Sequence, residues 1–220
     1  SITDTIDTVK VNLVATIDKA TENEDGATIT YTATIEGTNA PKSDVVVTFK
    51  DFDGVEKTIT IKAGSFSDKT TSTYSNPDVY AEAEKDLGVT DFTVAPGQGG
   101  YENLVAGEVT SDISITDTID TVKVNLVATI NNQSENENGA TITYKATIDG
   151  PAPKSDVTVT FKDFNGEPKT ITIKAPQEGE IKTEFSGTEK STYSNPDVYA
   201  EAKKDLGVTD FTVAPGQGGY

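Results

Sequence analysis

The feature that most constrains this chain is that it is written twice. SITDTIDTVKVNLVATI at Ser1–Ile17 recurs unchanged at Ser114–Ile130, and the block Ser72–Tyr101 recurs at Ser191–Tyr220 with only Glu84 replaced by Lys203. Between these blocks the copies drift: Asp18 becomes Asn131, Val46 becomes Thr158 and Asp53 becomes Asn165. One residue is lost near Pro151 and several are gained around Pro176–Lys190. Self-similarity at this spacing means two copies of one domain, each long enough to bury its own core. The expected domains are residues 1–117, whose first seven residues belong to the tail of a preceding copy, and residues 118–220. The first copy continues through Glu102–Ile113, whereas nothing follows Tyr220. The second copy is therefore expected to lack its last strand and to offer an edge with which a neighbouring chain's N-terminus can pair. The chain itself is expected to be a slice of a longer array, with Ser1 the start of an excised fragment.

Within each copy the hydrophobic period is two. Val9, Val11, Leu13, Ala15 and Ile17 alternate with polar residues, as do Ala27, Ile29, Tyr31, Ala33 and Ile35. Val45, Val47 and Phe49 follow, then Ile59 and Ile61, Phe92 and Val94, and a last series through Val109, Ser111, Ile113 and Ile115. This alternation puts one face on a core and the other in water, the mark of antiparallel strands. Turn signals separate the runs at Glu24-Asp25-Gly26, Gly37–Pro41, Asp53-Gly54 and Gly97–Gly100. Six or seven such strands per copy predict an all-β chain of two tandem Ig-like β-sandwich domains. One segment breaks the period. Asn76-Pro77-Asp78 reads as a cap, a first-turn proline and a first-turn acid, and Gly88 stands where a terminating glycine belongs. A short helical segment is expected at Pro77–Leu87 and at Pro196–Leu206.

Composition then narrows the chemistry. There are 36 Asp and Glu against 18 Lys and Arg, a net charge of −18, and neither His nor Cys. The commonest general base, thiolate nucleophiles, disulfides and the usual zinc, haem and iron–sulfur ligands are thereby removed. So acidic a surface repels phosphate backbones, which excludes nucleic acid as a partner. No run approaches the length of a membrane span and none reads as a signal peptide, so direct membrane insertion is not expected. What remains open is oxygen chemistry, since hard cations such as Ca²⁺ prefer carboxylates and carbonyls.

The acids nearest the connection between copies are the candidates. Thr116–Thr121 (TDTIDT) carries Asp117 and Asp120, and on a helical segment Asp78 and Glu82 would share a face. Three extended residues span ~10 Å, so Asp117 and Asp120 reach one ion only if the connection bends. The last strand runs back towards the connection, which can bring all four carboxylates together into a Ca²⁺ shell. The plain alternative is that these acids are solvated, with Asp78 explained by the helix dipole. No stretch fits an EF-hand, and Asp51-Phe52-Asp53-Gly54 reads as a hairpin turn. Other readings are weaker. Glu22 and Glu24, with Glu135 and Glu137 in the second copy, lie in a turn rather than across a glycosidase cleft. A Ser nucleophile would lack its His, the Thr-rich faces are ordinary β-propensity, and no helix follows the Gly97–Gly100 loop to cradle a phosphate. No enzymatic activity is expected.

These motifs together resemble a family. TDTIDT, the GATITY block, VTVTFKD, TITIKA, PDVYAEA and GGYENL are similar to the extender repeats of large RTX-type adhesins of Gram-negative bacteria, a group with biofilm and ice-binding members. The resemblance implies an Ig-like sandwich repeated many times, type I secretion, an extracellular place on the cell surface, and Ca²⁺ at the junctions holding a rod stiff. It puts the ligands on Asp78, Glu82, Asp117 and Asp120, with Asp4, Asp7, Asp197 and Glu201 as half-sites facing neighbouring repeats of the same polypeptide. Two departures stand: Glu82 occupies a position where the family often has Asp, and the GGxGxD nonapeptides are absent. The implied function is a calcium-rigidified spacer that projects a distal binding region. The rival is an Ig-like module that itself grips a glycan or protein. The junction sequences TDTIDT and NPDVYAEA are identical in both copies while Ala63–Thr71 and Ala175–Lys190 differ, as a spacer requires and as recent duplication equally produces.

Overall fold

The computed structural model describes residues 2–18, 22–130, 136 and 138–220. Glu135 and Glu137, weighed above as a second-copy acid pair, lie outside them. The chain divides into two compact units. The first comprises Ser1–Asp78 and Glu82–Thr118, and the second comprises Val79–Ala81 and Ile119–Tyr220.

The first unit contains β1 (Thr8–Thr16), β2 (Ala27–Ile35), β3 (Val45–Lys50), β4 (Glu56–Ile61), β5 (Ser67–Tyr74), β6 (Lys85–Asp86), β7 (Thr90–Val94), β8 (Asn103–Thr110) and β9 (Ser114–Ile115). One sheet runs β5-β2-β1-β8, a second β4-β3-β7, and β6 pairs with β9 as a small ribbon. The alternating residues of the facing strands fill the space between the sheets. Val11 and Leu13, Ile29 and Tyr31, Val45 and Val47, and Ile61 are sealed from solvent. Each such side chain contributes about 1.5–3 kcal/mol relative to exposure. Tyr31 and Phe49 meet across the core with ring centroids 4.8 Å apart.

The second unit repeats the plan with β10 (Lys123–Ile130), β11 (Ala140–Asp149), β12 (Val157–Lys162), β13 (Pro168–Ile173), β14 (Ser186–Tyr193) and β15 (Thr209–Val213). Its sheets run β10-β11-β14 and β13-β12-β15. Tyr144 and Phe161 repeat the central ring pair, again at 4.8 Å. The chain is thus all-β, with a β-sandwich in each unit.

The hairpin reading of Asp51–Gly54 holds. Gly54 takes φ +76°, a left-handed conformation that favours glycine, and Gly166 repeats it at +80°. The buried Asp51 carboxylate accepts the amides of Asp53 (3.1 Å) and Val55 (3.0 Å) and the Ser72 hydroxyl (2.7 Å).

Three expectations are corrected. There is no helix at Pro77–Leu87 or Pro196–Leu206: both segments run as bends and extended chain, apart from β6. The capping signals are local, and the tertiary structure offers more. Leu87 is fully buried, Lys85 and Asp86 pair with Ile115 and Ser114, and the Asn76 side chain donates its Nδ2 to Glu82 Oε2 at 2.6 Å. So short a helix, apolar over only part of one turn, is marginal on its own. Second, the last series is not one strand through Ile115. β8 begins earlier, at Asn103, and β9 is separate. Third, β8 runs parallel to β1, with Val9 opposite Leu104. A bulge interrupts this pairing after Val11, where the Asn12 side chain accepts the Glu108 amide at 2.7 Å.

Candidate cation site

The β1–β2 turn closes through the Asn23–Gly26 bridge, and the chain leaving β5 is lashed to it. The Asn76 amide donates to the Glu24 carbonyl (2.7 Å) and the Ser75 hydroxyl to the Asp25 carbonyl (2.9 Å). This places Glu24 against the end of the first unit. Its side chain is 4% exposed, although nothing in the hydrophobic pattern marks it as interior.

Three of the four acids proposed from the junction lie in this unit, and two of them are tied together. The Glu82 backbone amide donates to Asp117 Oδ2 at 3.0 Å. The Glu82 carboxylate in turn accepts the Asn76 side chain, and the Asp78 amide donates to the Asn76 carbonyl at 2.9 Å. Glu24 joins them. Burial pushes its carboxyl above the ordinary range, and a hydrogen bond with the Asp117 side chain and the like charges of Asp117 and Asp25 push the same way, against the Thr118 amide. Nearby, Asp117 Oδ1 and Thr118 Oγ1 are buried and receive no hydrogen bond. The Tyr74 hydroxyl registers the same negative field: burial raises its pKa first, and then the charges of Glu82, Glu24, Asp78 and Asp53.

The fourth acid, Asp120, is exposed and belongs to the second unit. The half-site residues have local partners. Asp4 accepts the amide of its neighbour Thr5 (3.1 Å), and the Asp7 amide donates to Glu102 Oε2 (2.8 Å). Asp197 accepts the Tyr199 amide (2.8 Å), and Glu201 accepts the Asn195 side chain (2.6 Å), just as Glu82 accepts Asn76.

The donors are of the right kind for a hard cation: carboxylate oxygens, one of them buried without a donor. Among the described residues, however, no three such groups converge closely enough to hold a metal by themselves. The arrangement is an acid pair with an orphaned oxygen, which positive charge would relieve.

The LapA domain matches residues 7–118, half of the chain, and spans every member of this cluster. The match fits the large LapA-like adhesins, an adhesin-related role and a place at the cell surface. Comparison with curated proteins gives no match.

Proposed function

Because this chain belongs to the LapA domain family, we propose that it is a spacer segment of a cell-surface adhesin of RTX type, stiffened by Ca²⁺ at the connections between its copies. The role is mechanical rather than catalytic. The observation that carries this reading is the buried Glu24 carboxyl beside Asp117, whose Oδ1 is buried and unpartnered. Bound Ca²⁺ would supply positive charge between these groups. In this reading Asp117, Glu24, Glu82 and Asp78 serve from the first unit and Asp120 from the second, while Asp4, Asp7, Asp197 and Glu201 serve towards further copies. Two donor sets on either side of a connection make the ion a linkage device, adding RT ln(1 + [Ca²⁺]/Kd) only to conformations that bring both sets to it. Extracellular calcium modules have Kd values of about 10⁻⁴–10⁻³ M, so such sites fill outside the cell and stay empty in the cytosol.

Small-angle scattering in EDTA and across ~0.1–10 mM Ca²⁺, with a thermal melt on the same samples, tests the proposal. The expected result is a maximum dimension that settles at one extended value and a first-unit melt that shifts upward, with both effects reduced in Glu24→Gln. A melt that shifts without any change in dimension would leave Ca²⁺ as a ligand of one domain and remove the stiffening role. No response in either would remove the ion.

A second reading, in which the sandwich itself binds a ligand, is favoured by a cleft of about 720 Å³ in the first unit bordered by Asp51, Phe52, Asp86, Val89 and Asp112. Its polar lining suits a hydroxyl-rich ligand, and glycan-array binding lost in Phe52→Ala would support it.

A further inference from the structure

The second unit draws in three residues from earlier in the chain, Val79–Ala81, and holds them at defined points. The Tyr80 ring stacks on Tyr220, with centroids 5.6 Å apart and planes 11° from parallel. Lys154 Nζ lies 3.8 Å from the centroid of the same ring. The Tyr80 hydroxyl donates to the Ala152 carbonyl at 2.6 Å, and the Ala81 amide donates to the Gly219 carbonyl at 2.9 Å. A stacked ring, a cation over an aromatic face and two backbone hydrogen bonds make a specific seat for a Val-Tyr-Ala segment. Gly218 and Gly219 shape it: both are left-handed, and a Cβ on Gly219 would press on Lys154 at 3.1 Å.

The first unit carries the same seat. Gly99 and Gly100 take φ +71° and +72°, and a Cβ on Gly100 would meet Lys42 at 3.2 Å. The Lys42 amide donates to the Gly99 carbonyl (2.8 Å), as the Lys154 amide does to Gly218 (2.7 Å). The Tyr101 hydroxyl is anchored on the Asn39 carbonyl (2.7 Å), as that of Tyr220 is on Pro151 (2.6 Å). Here, however, the seat is an open groove of about 430 Å³, bordered by Ala40, Lys42, Gly99, Gly100 and Tyr101. The segment that would fit it is also present. Val198-Tyr199-Ala200 repeats Val79-Tyr80-Ala81, and its Val198 and Tyr199 side chains are 92% and 76% exposed. Two large apolar side chains standing side by side in water mark an interaction surface more often than chance exposure does.

We infer that the first-unit groove is a docking site for Val198–Ala200 of a second copy of this chain, in the pose that Val79–Ala81 adopts on the second unit. Tyr199 then stacks on Tyr101 beneath Lys42, its hydroxyl donates to the Ala40 carbonyl, and the Ala200 amide donates to the Gly100 carbonyl. The contact joins different surfaces of the two copies, so it propagates head to tail rather than closing into a symmetric dimer. Asp7 also borders the groove, and Asp197 and Glu201 flank the docking segment, but none of the contacts named here needs an ion, so a test in EDTA separates this inference from the spacer proposal.

The test is a dilution series of the ¹⁵N-labelled full chain in EDTA, from ~0.05 to 2 mM, a range suited to a weak contact of few residues. The expected result is concentration-dependent shifts of the Lys42, Gly99, Gly100 and Tyr101 amides, while those of Lys154 and Gly218–Tyr220 stay fixed. Tyr199→Ala should abolish the shifts, and so should Lys42→Glu. Both side chains are exposed, so the fold survives either change, and an unchanged remainder of the spectrum verifies it. Amides at the groove that do not move with concentration overturn the inference, as do shifts that persist undiminished in Tyr199→Ala.

Discussion

β1 and β10 have the same sequence and different fates. Val9–Ile17 and Val122–Ile130 both read VKVNLVATI. In β1, Val11 and Leu13 are wholly buried and Ala15 is 3% exposed. In β10, their counterparts Val124 and Leu126 are only half-buried and Ala128 is exposed, while Val127 is 57% exposed against 37% for Val14. The difference lies in what flanks the strand. β1 sits between β2 and β8, and Leu104 of β8 adds a buried side chain to the core. Among the described residues, β10 pairs only with β11. Alternation therefore says which face of a strand turns inward, but the neighbouring strand decides how deeply that face is covered.

The largest expected effect breaks this comparison directly. Leu13→Ala should cost about 3–4 kcal/mol, the range for a fully enclosed leucine, and Leu126→Ala only about 1–2, because its site is already partly wet. Urea unfolding followed by a probe in each unit reads both values. Equal costs would show that a second neighbouring strand does not matter. Breaking the contact from the other side sharpens the test: Leu104→Ala should lower the first unit's stability by about 2–4 kcal/mol and make Leu13→Ala less costly.

The same contrast explains what could be read in advance. β1 to β4 were legible because their periods are clean and their turns carry Asp25-Gly26, Gly37–Pro41 and Asp53-Gly54. β5 was not, because SDKTTSTY is polar on both faces and its buried position is Ser72, which is there to bind Asp51. β8 was misplaced because its parallel partner lies more than ninety residues away and only Leu104 is buried. At the candidate site, Asp78, Glu82 and Asp117 were legible from their position near the connection. Glu24 was not: a turn acid between Asn23 and Asp25 gives no sign of burial, and the bonds from Asn76 to its carbonyl and from Ser75 to that of Asp25 fix it beside the end of the unit.

Where the units do not differ, they should respond alike, and the buried hairpin aspartates are the next test. Burial works against ionisation of Asp163, but the Ser191 hydroxyl and the amides of Asn165 and Glu167 outweigh it, aided by Lys169, and hold the carboxyl below the ordinary range. A depressed folded value means that the stabilisation is present above the unfolded pKa of ~4 and is lost as pH falls through the folded value. Asp163→Asn should therefore cost the second unit about 1–2 kcal/mol at neutral pH, and the difference from wild type should shrink towards zero as pH falls through the folded value. Asp51 makes the same three bonds, so Asp51→Asn should cost the first unit a similar amount at neutral pH. A penalty that stayed constant down to low pH would show that the hydrogen bonds depend on shape rather than charge.

The smallest effect is the strictest control. Among the described residues, Asp91 and Asp210 are the non-glycine residues with left-handed backbones, at φ 55° and 54°, and each sits beside the bulge where β7 or β15 joins the central strand. Each is held by an ion pair, Lys50–Asp91 at 2.7 Å and Lys162–Asp210 at 2.9 Å, with all four side chains about half exposed or more. Glycine would relieve about 1 kcal/mol of left-handed strain but would lose a solvent-exposed ion pair and add backbone freedom to the unfolded chain. The terms nearly cancel, so Asp91→Gly and Asp210→Gly should each change stability by less than about 0.5 kcal/mol, and by the same amount in both units. The site lies on the sheet that has the same three strands in both units, away from β8. A clear inequality between the two variants would therefore mean that the single pairing of β10 among the described residues loosens the whole second sandwich, and not only its own sheet.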